Sequence, residues 1–202
     1  MSGYLWFDAE FTSLRLETAE VLQVALVATD ADLHRLELPE TDLRLFIRVQ
    51  DPDAISPWVL ENIPHIVAGS RSEQAVDAIE ADRLMCDYVD RIFGPAPERI
   101  SLRPLLAGNS VHNDWFMARR FFPGLLSRAH YRLLDVSGFK TQWETWFRMP
   151  SFDKENPTLL KEWFPGLSLP EGAKEHDAYF DVQASIAEMA FYRNRWTLRL
   201  GG

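Results

Sequence analysis

The chain has 202 residues, with 21 Lys or Arg against 30 Asp or Glu, so its formal net charge at pH 7 is −9. Hydrophobic residues make up 47% and charged residues 25%, which excludes a disordered or collagen-like chain and predicts one globular domain over residues 1–202. The negative charge argues that this chain is not a protein that binds long nucleic-acid duplexes electrostatically, because such proteins owe their affinity to basic residues that neutralise phosphates. Since no apolar run reaches ~18 residues and no basic segment precedes an apolar run at the start, we expect a cytoplasmic protein without membrane contact.

Three apolar segments early in the chain predict an antiparallel meander. Residues 3–9 (GYLWFDA) and 21–29 (VLQVALVAT) are short apolar runs, which are typical of buried strands. Residues 42–50 (DLRLFIRVQ) alternate apolar and polar side chains, which is typical of an edge or half-exposed strand. Because the connections between these segments are short, we expect neighbouring strands to pair antiparallel.

The remainder of the chain alternates helical and strand-like patterns. Strands are predicted over 105–109 and 131–136, and helices over 72–93, 111–121, after 136 through Trp146, near 158–163 and over Asp177–Arg195. A meander followed by such alternation predicts an α/β fold, in which one mixed five-stranded sheet carries helices on both faces. The single cysteine, Cys86, is predicted to be a small buried hydrophobic residue within a helix.

Asp8 and Glu10 close the first predicted strand. Side chains two residues apart on a strand share a face, so both carboxylates point the same way at the end of the sheet. Two such groups repel each other unless a cation neutralises them, and Mg²⁺ and Mn²⁺ prefer oxygen ligands. The pattern therefore indicates a divalent metal site, although ordinary solvated residues at a strand end would give the same sequence.

Three further titratable residues follow later in the chain. Asp114 comes after the segment GNS, in the first turns of a predicted helix, where the helix dipole favours a carboxylate. His176 lies just outside the last predicted helix and Asp181 about one turn inside it, with Asp177 as the expected N-cap. A neutral imidazole close to a metal site is a good general base, but a loop histidine and a helix-surface aspartate remain the alternative.

The order of these residues resembles a known family. A D-x-E on the first strand, an Asp after G-N-S and an H-x4-D before the last helix resemble the DEDD-type 3′→5′ exonucleases of the ribonuclease-H-like fold. Within that group, four segments are similar to the oligoribonucleases, in the same order and over nearly the whole chain. They are DAEFTSL, GNSVHNDWFMARRFFP, HYRLLDVSGFK and EHDAYFDVQASIAEMAFYR.

The resemblance implies a metal-dependent enzyme that hydrolyses very short RNA, especially dinucleotides, to nucleoside 5′-monophosphates. His176 would deprotonate the attacking water beside two divalent ions, Mg or Mn, held by four carboxylates, those of Asp8, Glu10, Asp114 and Asp181. Leu14 would lie between the two bases of the substrate. The 5′ phosphate would be capped by residues some of which come from the partner subunit of a homodimer, namely Ser110, Tyr131, Arg132 and Ser137.

Two alternatives remain open at this stage. Ser13 stands where the family has the glycine of T-G-L, and the loops at 94–104 and 150–174 are longer than the family needs. Both departures favour a broader exonuclease that acts on longer single-stranded DNA or RNA ends. A degenerate nuclease fold, kept for binding alone, is the third possibility. The aromatic residues Trp143, Trp146 and Phe147 are predicted to pack in the core or a dimer contact rather than to stack on bases.

Overall fold

A computed structural model describes residues 3–170 and 175–200, and within these ranges five strands form one mixed sheet. The strands, in chain order, are β1 (Tyr4–Phe11), β2 (Val21–Thr29), β3 (Leu43–Phe46), β4 (Leu105–Gly108) and β5 (Leu133–Asp135). They are arranged as β3-β2-β1-β4-β5, with β1, β2 and β3 antiparallel and with β4 and β5 parallel to β1. This arrangement confirms the predicted meander followed by parallel strands.

The central strand β1 extends beyond its parallel neighbour. It pairs with β4 only over Tyr4–Trp6, whereas its pairing with β2 continues to Phe11. Asp8 and Glu10 therefore lie past the end of β4, at the carboxyl edge of the parallel strands. In open α/β sheets, ligands bind at such an edge, where neighbouring connections leave in opposite directions.

The described helices, in chain order, are α1 (Pro57–Asn62), α2 (Pro64–Ser70), α3 (Ala78–Phe93), α4 (Val111–Phe121), α5 (Pro123–Arg128), α6 (Val136–Phe147), α7 (Pro157–Trp163) and α8 (Ala178–Leu200). The helix over 111–121 is confirmed to the residue, and the short helix predicted near 158–163 is α7. No helix within the described ranges combines the length and hydrophobicity that crossing a bilayer would require.

Several predicted boundaries are wrong for local reasons. The strand predicted over 42–50 ends at Phe46. Beyond it, the Ile47 N–H still donates to the carbonyl oxygen of Leu22 in β2, but Ile47 also forms a bridge with Val76, to whose carbonyl oxygen Arg48 then donates. The helix predicted over 72–93 starts only at Ala78, where the Asp77 side chain accepts the N–H of Glu80 as an N-cap. Helices α1, α2 and α5 were not predicted, since each spans two turns or fewer and shows no 3.6-residue period.

The core lies on both faces of the sheet, as predicted. Side chains alternate along β1, so Leu5 and Phe7 pack against α3, α4 and α5 while Trp6 faces α6 and α8. Trp143 is buried in the second cluster and Phe147 packs against it, which confirms their packing role. Trp146, in contrast, is 64% exposed and lies against the ring of Trp196. Cys86 is buried within α3, as expected.

Candidate active site

A cavity of about 1050 Å³ opens at the carboxyl edge of β1. Its volume lies at or just above the upper limit of the usual range of small-molecule pockets, about 1,000 Å³. The five residues predicted to carry the chemistry all line this cavity, namely Asp8, Glu10, Asp114, His176 and Asp181. The fold therefore brings together residues up to 173 positions apart in the chain, the separation of Asp8 and Asp181.

The Asp114 side chain is hydrogen-bonded to β1, the strand that carries Asp8 and Glu10. The backbone N–H of Ala9, between Asp8 and Glu10, donates to Asp114 Oδ1 at 3.0 Å. The close approach of β4 to β1 requires a glycine, because a Cβ on Gly108 would lie 2.8 Å from the carbonyl oxygen of Phe7. The chain then turns sharply into α4 and presents the buried Asp114 from the first turn of the helix.

The other two candidate site residues, His176 and Asp181, lie at the start of α8. Asp177 caps the helix, since its Oδ1 accepts the N–H groups of Tyr179 (3.0 Å) and Phe180 (3.3 Å), which confirms the predicted N-cap. His176 has a left-handed backbone (φ 62°), and its N–H donates to Asp181 Oδ2 at 2.8 Å. This turn brings the imidazole back over the carboxylate that lies five residues further along the chain.

The side chains of Glu10, His176 and Asp181 fit a metal ion. One ligand atom from each lies within 4.8 Å of the others, which is the spacing that a single divalent ion can bridge. Carboxylate oxygens suit Mg²⁺ or Mn²⁺, and an imidazole nitrogen is also acceptable to Mn²⁺. Geometry alone thus allows His176 to be either a ligand or a base.

Carboxyl groups in this cluster strongly disfavour ionisation. Burial, followed by the neighbouring charges of Asp114, Asp181 and Glu10, raises the pKa of Asp8 well above its usual value. Burial is also the main cause that raises the pKa of Glu10 to about 8 and that of Asp114 to about 8. These shifts mean that the protein groups around the cluster supply too little positive charge to keep its carboxyl groups ionised. A bound cation would supply the missing charge.

One lysine partly offsets the cluster. Burial raises the pKa of Asp181 to about 6, while the charge of Lys154 and the N–H of His176 oppose that rise. The Lys154 ammonium forms an ion pair at 3.2 Å with Glu188, whose side chain is fully buried. Glu188 also accepts a 2.9 Å hydrogen bond from the side-chain amide of Asn109, which lines the cavity. A polar network centred on the buried Glu188 therefore holds Asn109, which lines the cavity.

Leu14 lies at the rim of the cavity and is 93% exposed. Its loop is held from below, because the Arg120 guanidinium donates to the carbonyl oxygens of Leu16 and Ala19. An exposed leucine on an anchored loop is available to contact a ligand. The predicted wedge position is thus at the cavity.

The predicted cap residues divide into two groups. Ser110 lines the cavity, and its backbone N–H donates to Ser137 Oγ at 2.9 Å, although Ser137 is not part of the lining. Tyr131 and Arg132 are both exposed and lie outside the lining, with the Arg132 guanidinium 5.5 Å from the centre of the Tyr131 ring. The single chain does not bring these two residues to the carboxylates, so their role as cap residues stays a prediction.

Trp58 lines the cavity but was not predicted to be functional. It is 51% exposed on α1, and its ring meets the His176 imidazole edge to face with 5.2 Å between the ring centres. The sequence signal for it is the capped start of α1, where Ser56 and Pro57 precede the tryptophan. The helix is too short for periodicity to have revealed which side of it faces a site.

The chain is similar in sequence to known exonucleases. The sequence model of the Exonuclease family matches residues 5–189. The oligoribonuclease of Nocardia farcinica is 30% identical over 196 residues, covering 94% of this chain and 78% of that protein. The chain belongs to the oligoribonuclease family of exonucleases. Human mitochondrial oligoribonuclease, another member of this family, is 30% identical over 195 residues, with 94% of this chain and 71% of that protein covered.

Solved structures show the same fold. A product-bound exonuclease I has a TM-score of 0.63 at 15% identity, covering 98% of this chain and 44% of that one. Exonuclease I of E. coli in complex with a 5cy-dT13 oligonucleotide has a TM-score of 0.62 at 18% identity, with 98% and 42% covered. This chain spans about two fifths of the length of those structures. The likeness confirms the ribonuclease-H-like α/β fold.

Proposed function

We propose that the protein is a metal-dependent 3′→5′ exoribonuclease whose preferred substrates are very short RNAs, dinucleotides above all, which it hydrolyses to nucleoside 5′-monophosphates. The observation that carries the proposal is the convergence of four carboxylates and one imidazole on a single cavity with an exposed leucine at its rim. The oligoribonuclease names of its relatives support RNA as the substrate. We propose that residues 1–202 form one exonuclease domain and that it acts in the cytoplasm.

Asp8, Glu10, Asp114 and Asp181 would hold the two divalent ions, Mg²⁺ or Mn²⁺. When bound, two such ions stabilise charge on the attacking and leaving oxygens of an in-line displacement. The fit rests on the raised pKa values of these carboxyl groups, which indicate a cluster that needs cations to ionise. This arrangement also reconciles an acidic chain with a polyanionic substrate, since the ions supply the positive charge at the scissile phosphate.

His176 would accept the proton of the attacking water. The hydrogen bond from its own backbone N–H to Asp181 fixes the turn on which the imidazole is carried. The Trp58 ring packs against the imidazole nearly at a right angle, with 5.2 Å between the ring centres. A positioned general base of this kind contributes roughly 10²- to 10⁴-fold to a rate.

Substrate length would be limited by contacts at both ends of a dinucleotide. Leu14 would separate the two bases, and the 5′ phosphate would be capped by Ser110, Tyr131, Arg132 and Ser137. Because Tyr131 and Arg132 lie outside the cavity of their own chain, we propose that they serve the site of the partner in a homodimer. A guanidinium is suited to this task because its planar fork can hold a phosphate through two bonds.

The test is cleavage of 5′-labelled RNA from two-mers to twenty-mers, with Mn²⁺ or with EDTA. We expect rapid, metal-dependent loss of the two-mer and slow loss of long chains. Ladder-like shortening of long chains with a slow two-mer would instead support a broader single-strand exonuclease. Absence of metal-stimulated turnover on every RNA and on matched DNA would contradict the nuclease assignment. The His176→Ala variant, compared with the exposed His65→Ala, isolates the contribution of the base.

A further inference from the structure

One polar side chain interrupts the apolar face of β2 that packs against α8. Residues 21–28 read VLQVALVA, so Gln23 is the only polar residue in this stretch, and it is 5% exposed. Ala25 and Val27, two and four residues further along the strand, share its face and belong to the cluster beneath α8. Burying a side-chain amide costs free energy unless the amide is hydrogen-bonded. The hydrogen bonds of Gln23 must therefore offset the cost of its position.

Both ends of the Gln23 amide bind the turn at which α8 begins. Its Oε1 accepts the backbone N–H of Ala178 at 2.9 Å, and its Nε2 donates to Asp177 Oδ2 at 3.3 Å. Because an N–H can face only the amide oxygen and a carboxylate only the NH₂ group, these partners fix the orientation of the amide. Gln23 also completes the helix cap, since Asp177 Oδ1 accepts the next two N–H groups of α8 and leaves that of Ala178 to β2.

The same glutamine lies next to a carboxylate of the cluster. Gln23 is directly opposite Glu10 in the antiparallel pairing of β1 with β2, so the two side chains project from the same face of the sheet. The turn that Gln23 binds lies between His176 and Asp181, and one ligand atom from each of these two lies within 4.8 Å of one from Glu10. Gln23 thus joins the strand side of the cluster to its helix side.

We propose that Gln23 is a positioning residue for this cluster, which fixes the start of α8 relative to β1 and thereby sets the placement of His176 and Asp181 beside Glu10. The inference rests on the proposed function, because it concerns the same metal site. Gln23 itself does not line the cavity, so it acts through the residues that do. Removing a hydrogen bond of this kind, made behind the ligands, costs roughly 10- to 100-fold in metal affinity or activity.

The first test is Gln23→Leu, which keeps the approximate size of the side chain and removes both hydrogen bonds. At saturating Mn²⁺, kcat for a dinucleotide should fall roughly 10- to 100-fold while KM changes little, since the substrate contacts are untouched. A calorimetric titration with Mn²⁺ alone should show affinity weakened roughly tenfold or more. Gln183→Leu is the matched control, because it removes another buried glutamine and its bonds to Arg35 and Ser168. It should lower stability in urea without lowering kcat or Mn²⁺ affinity.

A reciprocal exchange keeps the test decisive if Gln23→Leu does not fold. Gln23→Glu places two carboxylates against each other, and Asp177→Asn places two amides there, one of which must face a like group. Each single variant should lower kcat and Mn²⁺ affinity. The double variant Gln23→Glu/Asp177→Asn should recover most of both, because the carboxylate at position 23 can accept the Ala178 N–H and the amide at 177. Asparagine also keeps the helix capped, and the net charge of the pair is unchanged.

The outcomes separate this inference from the function on which it rests. Wild-type kcat and Mn²⁺ affinity in Gln23→Leu, or an equal fall in Gln183→Leu, would overturn the positioning role and leave the exonuclease proposal intact. A double variant with no more activity than either single variant would do the same. Wild-type protein that neither binds Mn²⁺ nor cleaves RNA of any length would overturn both.

Discussion

The ammonium group of Lys154 lies 3.2 Å from Glu188 Oε2, in a place where the Glu188 side chain has no exposure to solvent. The other carboxylate oxygen of Glu188 accepts the hydroxyl of Tyr192 at 3.0 Å. The ion pair thereby ties the irregular segment before α7 to the middle of α8, directly behind the acidic cavity. It links the stability of the fold to the electrostatics of the site.

Lys154→Met should destabilise the protein by about 3 kcal/mol, since it leaves a buried carboxylate without its counter-ion. Urea unfolding measures the change, and Lys161→Met on the exposed surface of α7 is the control. Lys154→Arg should retain most of the stability. The double variant Lys154→Met/Glu188→Gln should recover part of the loss, because it removes the orphaned charge. A single Lys154→Met variant as stable as wild type would contradict this account.

Asp8→Asn and Asp181→Asn should each abolish turnover, because each removes a proposed metal ligand. The folded structure should survive, and in EDTA at pH 8 both variants should melt at higher temperature than wild type. The reason is that each amide avoids the cost of burying a carboxylate, to which like-charge repulsion adds at Asp8; one pKa unit of relief corresponds to about 1.4 kcal/mol. Activity assays check the loss of turnover and thermal melts check the rise in melting temperature, with the exposed Asp87→Asn as control. Normal activity in either variant would overturn its assignment as a ligand.

Metal-free protein should lose stability as the pH rises. Burial raises the pKa of Glu10 from 4.5 to about 8 and that of Asp181 from 3.8 to about 6, so the folded state favours the protonated forms. The stabilisation is complete below the unfolded values and is lost as the pH rises through the folded ones. Melting temperatures in EDTA from pH 5 to pH 9 measure the fall, which should be smaller in Glu10→Gln. Mn²⁺ should reduce it in wild type. A flat profile would contradict the prediction.

Leu14→Ala should raise the KM for dinucleotides without changing stability. Its side chain is 93% exposed, so truncation removes little buried area and should change the free energy of unfolding by less than about 0.5 kcal/mol. Steady-state kinetics on a dinucleotide, together with urea unfolding, check the two statements. Leu198→Ala, also exposed but on α8, is the matched control. An unchanged KM would remove Leu14 from the substrate site.

Arg132→Ala should impair cleavage of a 5′-phosphorylated dinucleotide more than that of a ten-mer. The expected difference is roughly tenfold in kcat/KM, the contribution of a charged hydrogen bond to the capped phosphate. Mixing Arg132→Ala with an inactive Asp8→Asn protein tests the partner's contribution. If Arg132 serves the neighbouring subunit, the active sites in mixed dimers regain their cap. Equal losses on both substrates would contradict the cap role.

The places of the proposed metal-ligating carboxylates at the ends of patterned elements could be predicted from sequence, whereas their assignment to one site came from the resemblance to the oligoribonucleases. Asp8 closes an apolar strand, and Asp114 and Asp181 fall in the first turns of helices whose starts are marked by Ser110 and Asp177. Because β4 runs parallel to β1, Asp114, which follows β4, comes to the same edge of the sheet as Asp8 and Glu10. The connection from β3 to β4 contains three α-helices, so the sequence pattern did not determine the order of the strands.

Other parts of the site could not be predicted from the sequence, because tertiary contacts determine them. Trp58 faces His176 only because α1 and α2 pack Val59, Ile63 and Ile66 against the edge of the sheet, and neither helix has a readable period. The ion pair of Lys154 with Glu188 joins an irregular segment to a helix interior. No local sequence pattern indicates such a pair, and a lysine in a polar segment is expected to be exposed to solvent.

The order of elements along the chain has a consequence for when activity can arise. Asp8 and Glu10 lie on the first strand, whereas His176 and Asp181 belong to the start of α8, the last described helix. During synthesis the N-terminal meander emerges first and can form early, since its contacts are local. The nuclease centre, in contrast, is incomplete until the final helix has docked. On the proposed assignment, a nascent chain that has not yet docked α8 lacks His176 and Asp181 at the site and should therefore be inactive.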